Sequence, residues 1–307
     1  MRESISAGER LEVTLRHLAS GDSLRSLHYQ YLEGHSTVHS IVYSTCCTVQ
    51  LLERAVRSDI LRILYLSGQL ILGSIPCLQK ARFVPVIKLC NSWHSWYKCK
   101  KCFVYPDTNT WLSIVSFQAI YVDVGTNGRT HDSATFKKSS FYQRLTTDAL
   151  NLPAPEPLPG AQCAQPYVFV ADAAFPMSDN LMRSYPGKAP DPQKIYNYRH
   201  SRARRVSENF FGVLAQRFRI LLRPIQALPN NVIMLVLACC ALHNMLRDEA
   251  IDRDIQPEKL SNVGALSPLD NHGINPSVTA SAVRDEFCRH FNQEGAVAWP
   301  SDYINEH

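Results

Sequence analysis

PYVFVADAAFP, residues 166–176, sets how the rest of the chain is read. Tyr167, Val168, Phe169 and Val170 form the β-branched and aromatic block of a short strand buried on both faces. Asp172 and the nearby Pro176 suit an exposed strand end. An acid at that point needs a partner. Upstream, AIYVDV (119–124) is a second strand, and the turn GTNG leads into a helix opening near THDSATF, with Thr130 or Asp132 as cap. A proline-rich connector, LPAPEPLPG (152–160), separates the two regions. Downstream, Val206, Phe210, Val213, Leu214 and Phe218 recur at helical spacing within SRARRVSENFFGVLAQRFR (201–219). A further helix, 230–247, begins at Asn230 and buries its LVLACCAL centre.

The chain has 307 residues and a formal charge of +5, enough length for one main domain with a smaller addition. The charge is concentrated. Residues 188–223 hold nine Lys and Arg against Asp191 and Glu208, a local net of +7, which suits a polyanion such as nucleic acid or a solvated helix face equally well. The longest apolar run, VIMLVLACCAL (232–242), is too short to cross a bilayer, so no membrane partner is expected. The N-terminus lacks the apolar core of a secretion signal, which predicts reduced thiols for the ten cysteines. CKKC at Cys99–Cys102, with Cys90 and His94 nearby, has zinc-like spacing, but ordinary thiols are the simpler account.

The helical spacing of Leu11, Leu15 and Leu18 continues in SLRSLHYQYL (23–32) after a Gly-Asp break. Gly34 can take a left-handed turn and Ser36 can cap the next helix, giving a helix-turn-helix-like unit over residues 1–49. A plain helical bundle has the same pattern, and the net charge of −1 over residues 1–50 is poor for gripping phosphates. Within residues 50–118, LLERAVRSDILRILYL (51–66) reads as helix, whereas WHSWYKCKKCFVYPDTNTW (93–111) shows no sustained period of either kind.

Three acids bear a joint reading. Asp132 opens a helix, Asp172 ends a buried strand, and Glu208 sits mid-helix with Gly212 and Ala215 leaving one side nearly bare. Carboxylates drawn together from separate elements need cations, and hard oxygen ligands favour Mg²⁺ or Mn²⁺, a pair of which can drive phosphodiester cleavage. Taken singly, Asp132 serves as a helix cap, Asp172 as a turn residue and Glu208 as a partner for Arg204 or Arg205.

YVDVGTNGRTHDSATFKKSSFYQRL (121–145), PYVFVADAAFP, YNYRHSRARRVSENFFGVLAQRFRIL (196–221) and LACCALHNMLRD (237–248) resemble, in order and spacing, the nuclease domain of PIF/Harbinger-type transposases and the host nucleases derived from them. SAGERL (6–11) and STVHSIV (36–42) resemble the N-terminal part of the same proteins. The resemblance implies an α/β fold with an RNase H-like mixed sheet flanked by helices, a DDE-type site using Mg²⁺ or Mn²⁺, and DNA as substrate. Asp172 matches the family's second catalytic aspartate and Glu208 its catalytic glutamate, with Asp132 as an additional acid at the metal. Arg202, Arg204 and Arg205 become candidates for DNA backbone contacts, or for salt bridges to nearby acids. The family also implies a nuclear location, with a cytoplasmic pool open, and a separate DNA-targeting partner.

The family's first aspartate lies in a DG-x-H block ahead of the VDVG strand, and no DG dipeptide occurs in this chain. Asp107 is the only acid between 60 and 122, in an unrelated context. The expected organisation is therefore a helical region at 1–49, a segment unlike the family at 50–118, a nuclease domain at 119–248 and a polar tail at 249–307. The sheet is expected to lack its first strands, and DNA cleavage to be impaired or absent. The alternative is a non-catalytic DNA-binding or protein-interaction module.

Overall fold

The computed structural model describes residues 4–66, 83–89, 110–113, 119–124, 132–150, 152, 154–158, 160–187, 190–252 and 277–296. Helix α1 (Ala7–Ser20) starts from a capping box: Ser6 Oγ accepts from the Glu9 amide, and the Glu9 carboxylate accepts from the Ser6 amide. It ends at Gly21, whose φ of 72° closes the helix and where a Cβ would stand only 3.3 Å from the backbone of Arg219 and Ile220. Ser23 caps α2 (Leu24–Tyr31). The left-handed residue that follows is Leu32 rather than Gly34. Gly34 stands just before α3 (His35–Leu66), its carbonyl accepting from the Val38 amide, so Ser36 lies inside the helix rather than capping it. Helix α3 continues unbroken across residue 49.

The buried stripe of α1 also differs from expectation. Val13, Thr14, His17 and Leu18 face the core, while Leu11 and Leu15 are exposed. The two polar members of the stripe are satisfied locally, Thr14 by the Arg10 carbonyl and His17 by the Asp22 carbonyl, so their burial is inexpensive.

Two strands lie within the segment 50–118 expected to be unlike the family, β1 (Phe83–Leu89) and β2 (Thr110–Ser113), followed by β3 (Ala119–Asp123). After α4 (Asp132–Lys138) and α5 (Ser140–Thr146), the connector forms a two-stranded ribbon of β4 (Glu156–Pro157) and β5 (Ala164–Gln165). Then come β6 (Val168–Ala171) and β7 (Leu181–Met182). The main sheet has the order β3-β2-β1-β6-β7; β2 is antiparallel to its neighbours, and β1, β6 and β7 run parallel. The expectation of missing first strands is thus corrected: β1 and β2 are in the sheet.

Helix α6 (Asp191–Arg217) lies against β1, β2 and β6; a 3-10 turn (Arg219–Leu222) leads to α7 (Pro229–Asp252). A final helix, α8 (Val278–Asn292), falls in the region expected to be only a polar tail; it packs on α6 and buries Phe287 and Phe291. Strand β6 explains its own composition. Val168 and Val170 meet Tyr196, Phe287 and Phe291 on one side, and Phe169 and Ala171 meet Phe136, Phe141 and Phe175 on the other. A strand covered on both faces has no polar alternation.

A separate core joins α1, α2, α3 and α7 to the C-terminal half of α6 through Leu18, Leu27, Val42, Phe210, Leu235 and Cys239. By length and composition Pro229–Arg247 could cross a bilayer, but half of it is buried inside this core.

Candidate functional site

Asp172 follows the last residue of β6, and both of its carboxylate oxygens are engaged. Oδ1 accepts from the Ala173 amide at 2.7 Å, and Oδ2 lies 3.2 Å from Arg204 Nη2. The Asp172 carbonyl accepts from the Phe175 amide and closes the turn ADAAF. The partner required by an acid at this strand end is therefore Arg204, carried in on α6. Its side chain is 20 % exposed and that of Asp172 36 %. The ion pair is thus only partly shielded from water.

Tyr196, His200, Arg204 and Glu208 follow one another at four-residue intervals along α6. Tyr196 and His200 are fully buried, and His200 Nε2 donates to the Met182 carbonyl at 3.3 Å. Burial, reinforced by the Arg204 charge, pushes the His200 pKa down to about 4, so the ring is neutral at physiological pH. Glu208 stands one turn beyond Arg204, and a Cβ added at the neighbouring Gly212 would meet nothing within 4 Å. The side chains of Asp132, Arg205 and Glu208 lie outside the described residues, as do Asp107, Cys90, His94 and Cys99–Cys102.

Ile87 of β1 pairs with Ala171 of β6, the residue before Asp172, which places the end of β1 beside this turn. A second tie comes from α4, which begins at Asp132. Its Phe136 ring meets Phe175, in the turn after Asp172, edge-on at 5.0 Å. The structure thus brings the helix opened by Asp132 to the turn closed by Asp172.

The basic segment is not a uniform cationic face. Arg199 donates to the Gly295 carbonyl at 2.7 Å and stacks over Phe291, and Lys194 pairs with Asp191. Arg202 is exposed. Two arginines that the sequence did not single out border the site instead. Arg183, just after β7, donates to the Phe175 carbonyl at 3.5 Å, and burial followed by the charge of Arg284 holds its pKa below the usual guanidinium value. Arg284, on α8, is buried over the Tyr185 ring at 3.9 Å. Neither carries a sequence signal: Arg183 depends on β7 lying beside the Asp172 turn, and Arg284 on α8 returning to the sheet. Among the described residues, no three His, Cys, Asp or Glu side chains converge on a point that could hold a metal ion.

The family model described as DDE superfamily endonuclease matches residues 86–244, just over half of the chain. The match begins inside β1 and ends in α7, so it takes in α6 and all of the sheet except the first three residues of β1. The chain is also 26% identical over 305 residues to the Protein ALP1-like of Arabidopsis thaliana, covering 92% of this chain and 70% of that relative. No solved structure matches. With most of its sheet, its Asp172 turn and α6 inside the matched region, the chain belongs to the DDE superfamily endonucleases, in the PIF/Harbinger transposase-derived group that its sequence blocks resemble.

Proposed function

We propose that this chain is a DNA-binding, transposase-derived protein with an RNase H-like domain, whose own phosphodiester hydrolysis is impaired or absent. The sheet order supports the fold assignment: two antiparallel hairpin steps followed by parallel strands, with α6 across the centre. The domain then starts at β1, earlier than 119, because β1 pairs directly with β6. Membership of an endonuclease family supports DNA as the ligand. A nuclear location and a separate targeting partner are proposed on the same ground.

The observation that carries the loss of hydrolysis is the environment of Asp172. Family chemistry uses divalent cations held by clustered acids, and Asp132, Asp172 and Glu208 are the residues that match. At Asp172, the one of these acids whose side chain is described, Oδ2 faces Arg204 and Oδ1 holds a backbone N–H. A guanidinium at a strand end where the chemistry needs paired carboxylates disfavours a bridging metal.

Supercoiled plasmid incubated with Mn²⁺ and the purified chain, beside Glu208→Gln, tests this. Nicking no greater than in the variant is expected, together with DNA binding that weakens steeply as salt rises. Glu208-dependent nicking would overturn the loss of hydrolysis, and the absence of salt-dependent DNA binding would overturn the DNA-binding reading.

A further inference from the structure

We propose that Arg204 is the chain's own counter-ion at this site, a fixed monovalent cation that neutralises Asp172 and opposes the binding of a divalent one. The inference rests on identifying Asp172 as the family's site acid. It deepens that reading by assigning Arg204 a role other than gripping DNA.

Three features support it. The guanidinium reaches Asp172 from the middle of a 27-residue helix whose preceding turns are locked by the buried Tyr196 and His200, so its position is fixed by the core. The other carboxylate oxygen is held by the Ala173 amide, so the acid cannot swing away from Arg204 without losing a second bond. Arg183 meets the far end of the same turn through the Phe175 carbonyl, which places a guanidinium at both ends of residues 172–175. A divalent ion entering here meets like charge from two elements.

Manganese binding to the full chain, followed by calorimetry, tests the role directly. Arg204→Gln removes the charge and keeps a hydrogen-bond donor for Asp172. It is expected to raise Mn²⁺ affinity roughly tenfold or more. The gain should vanish when Asp172→Asn is added. Arg204→Lys keeps the charge and should stay within about threefold of the parent. A merely structural arginine would give no gain on neutralisation. Thermal melting of each variant checks folding. Unchanged or weaker Mn²⁺ binding in a folded Arg204→Gln chain overturns the proposal. If that variant does not fold, Arg204→Lys decides: parent-like affinity supports the counter-ion, and a tenfold rise defeats it. DNA binding measured on the same samples separates the two claims, because a parent chain that binds no DNA defeats the functional reading whatever the metal does.

Discussion

The helical core at the N-terminus and the aromatic core around β6 satisfy their polar groups over very different distances along the chain. In α1 and α2, Ser6 and Glu9 cap each other, Ser23 caps three residues ahead, and His17 and His28 reach carbonyls five residues on. Around β6 the partners are remote. Tyr185 donates to Asp285 and Thr279 to Asp179, each pair separated by 100 residues, and Arg199 reaches Gly295. The first region can form its contacts as soon as each helix does. The second must wait for α8 to close a long loop, an entropic cost that local caps avoid.

Phe287→Ala is expected to have the largest effect. It empties a fully buried position where α8 meets β6 and should cost about 3–5 kcal/mol. Denaturant melts would show the loss, and hydrogen exchange should show residues 168–171 and 191–200 losing protection while α1 and α2 keep theirs. Simultaneous loss everywhere would mean that the two cores are one cooperative unit.

Asn244→Ala comes next. The Asn244 side chain accepts from the Ala119 amide at 2.9 Å and donates to the Ala119 carbonyl at 3.0 Å, both buried. Removing it strands two backbone groups, at about 2–4 kcal/mol. Because this pair joins α7 to β3, the change should unsettle both regions, and an effect confined to one would redraw the boundary.

Ser6→Ala removes only the first capping contact and should cost about 1 kcal/mol, with the sheet untouched. The smallest effect concerns pH. Burial lowers the His17 pKa, partly offset by the Asp22 carbonyl and carboxylate. The folded state therefore prefers the neutral ring. Its contribution is complete above the ordinary imidazole pKa of 6.5 and is lost as pH falls through the lowered value. Melts between pH 7 and 5 should show a decline that His17→Gln flattens.

The same contrast explains which parts were legible in the sequence. Strand β6, α6 and α7 announced themselves through continuous apolar runs or a helical period, and the family blocks lie on them. Strand β1 hid because FVPVIKL contains a proline, ends in a lysine-bearing pair and finds its parallel partner some eighty positions later. Helix α8 hid because its buried face includes Arg284, a residue counted as polar until Tyr185 is found beneath it. Leu11 and Leu15 misled in the opposite way, by having helical spacing on the solvent side. Arg204 was readable as a DNA contact or as a salt bridge. The partner of that salt bridge was hidden because the acid lies thirty-two residues upstream and only the folded sheet brings it to Arg204.

The clasp between Asn244 and Ala119 also bears on what the sheet does to its neighbours. Strand β3 is an outer rail of the sheet, and exposed rails recruit other strands. At its first residue the amide of a helix side chain mimics the donor and acceptor of one more strand, and at the opposite margin β7 is only two residues long. An incoming chain therefore finds the first residue of one margin already taken and only two residues on the other. Strand addition is hindered by an asparagine at the start of β3 and by the brevity of β7.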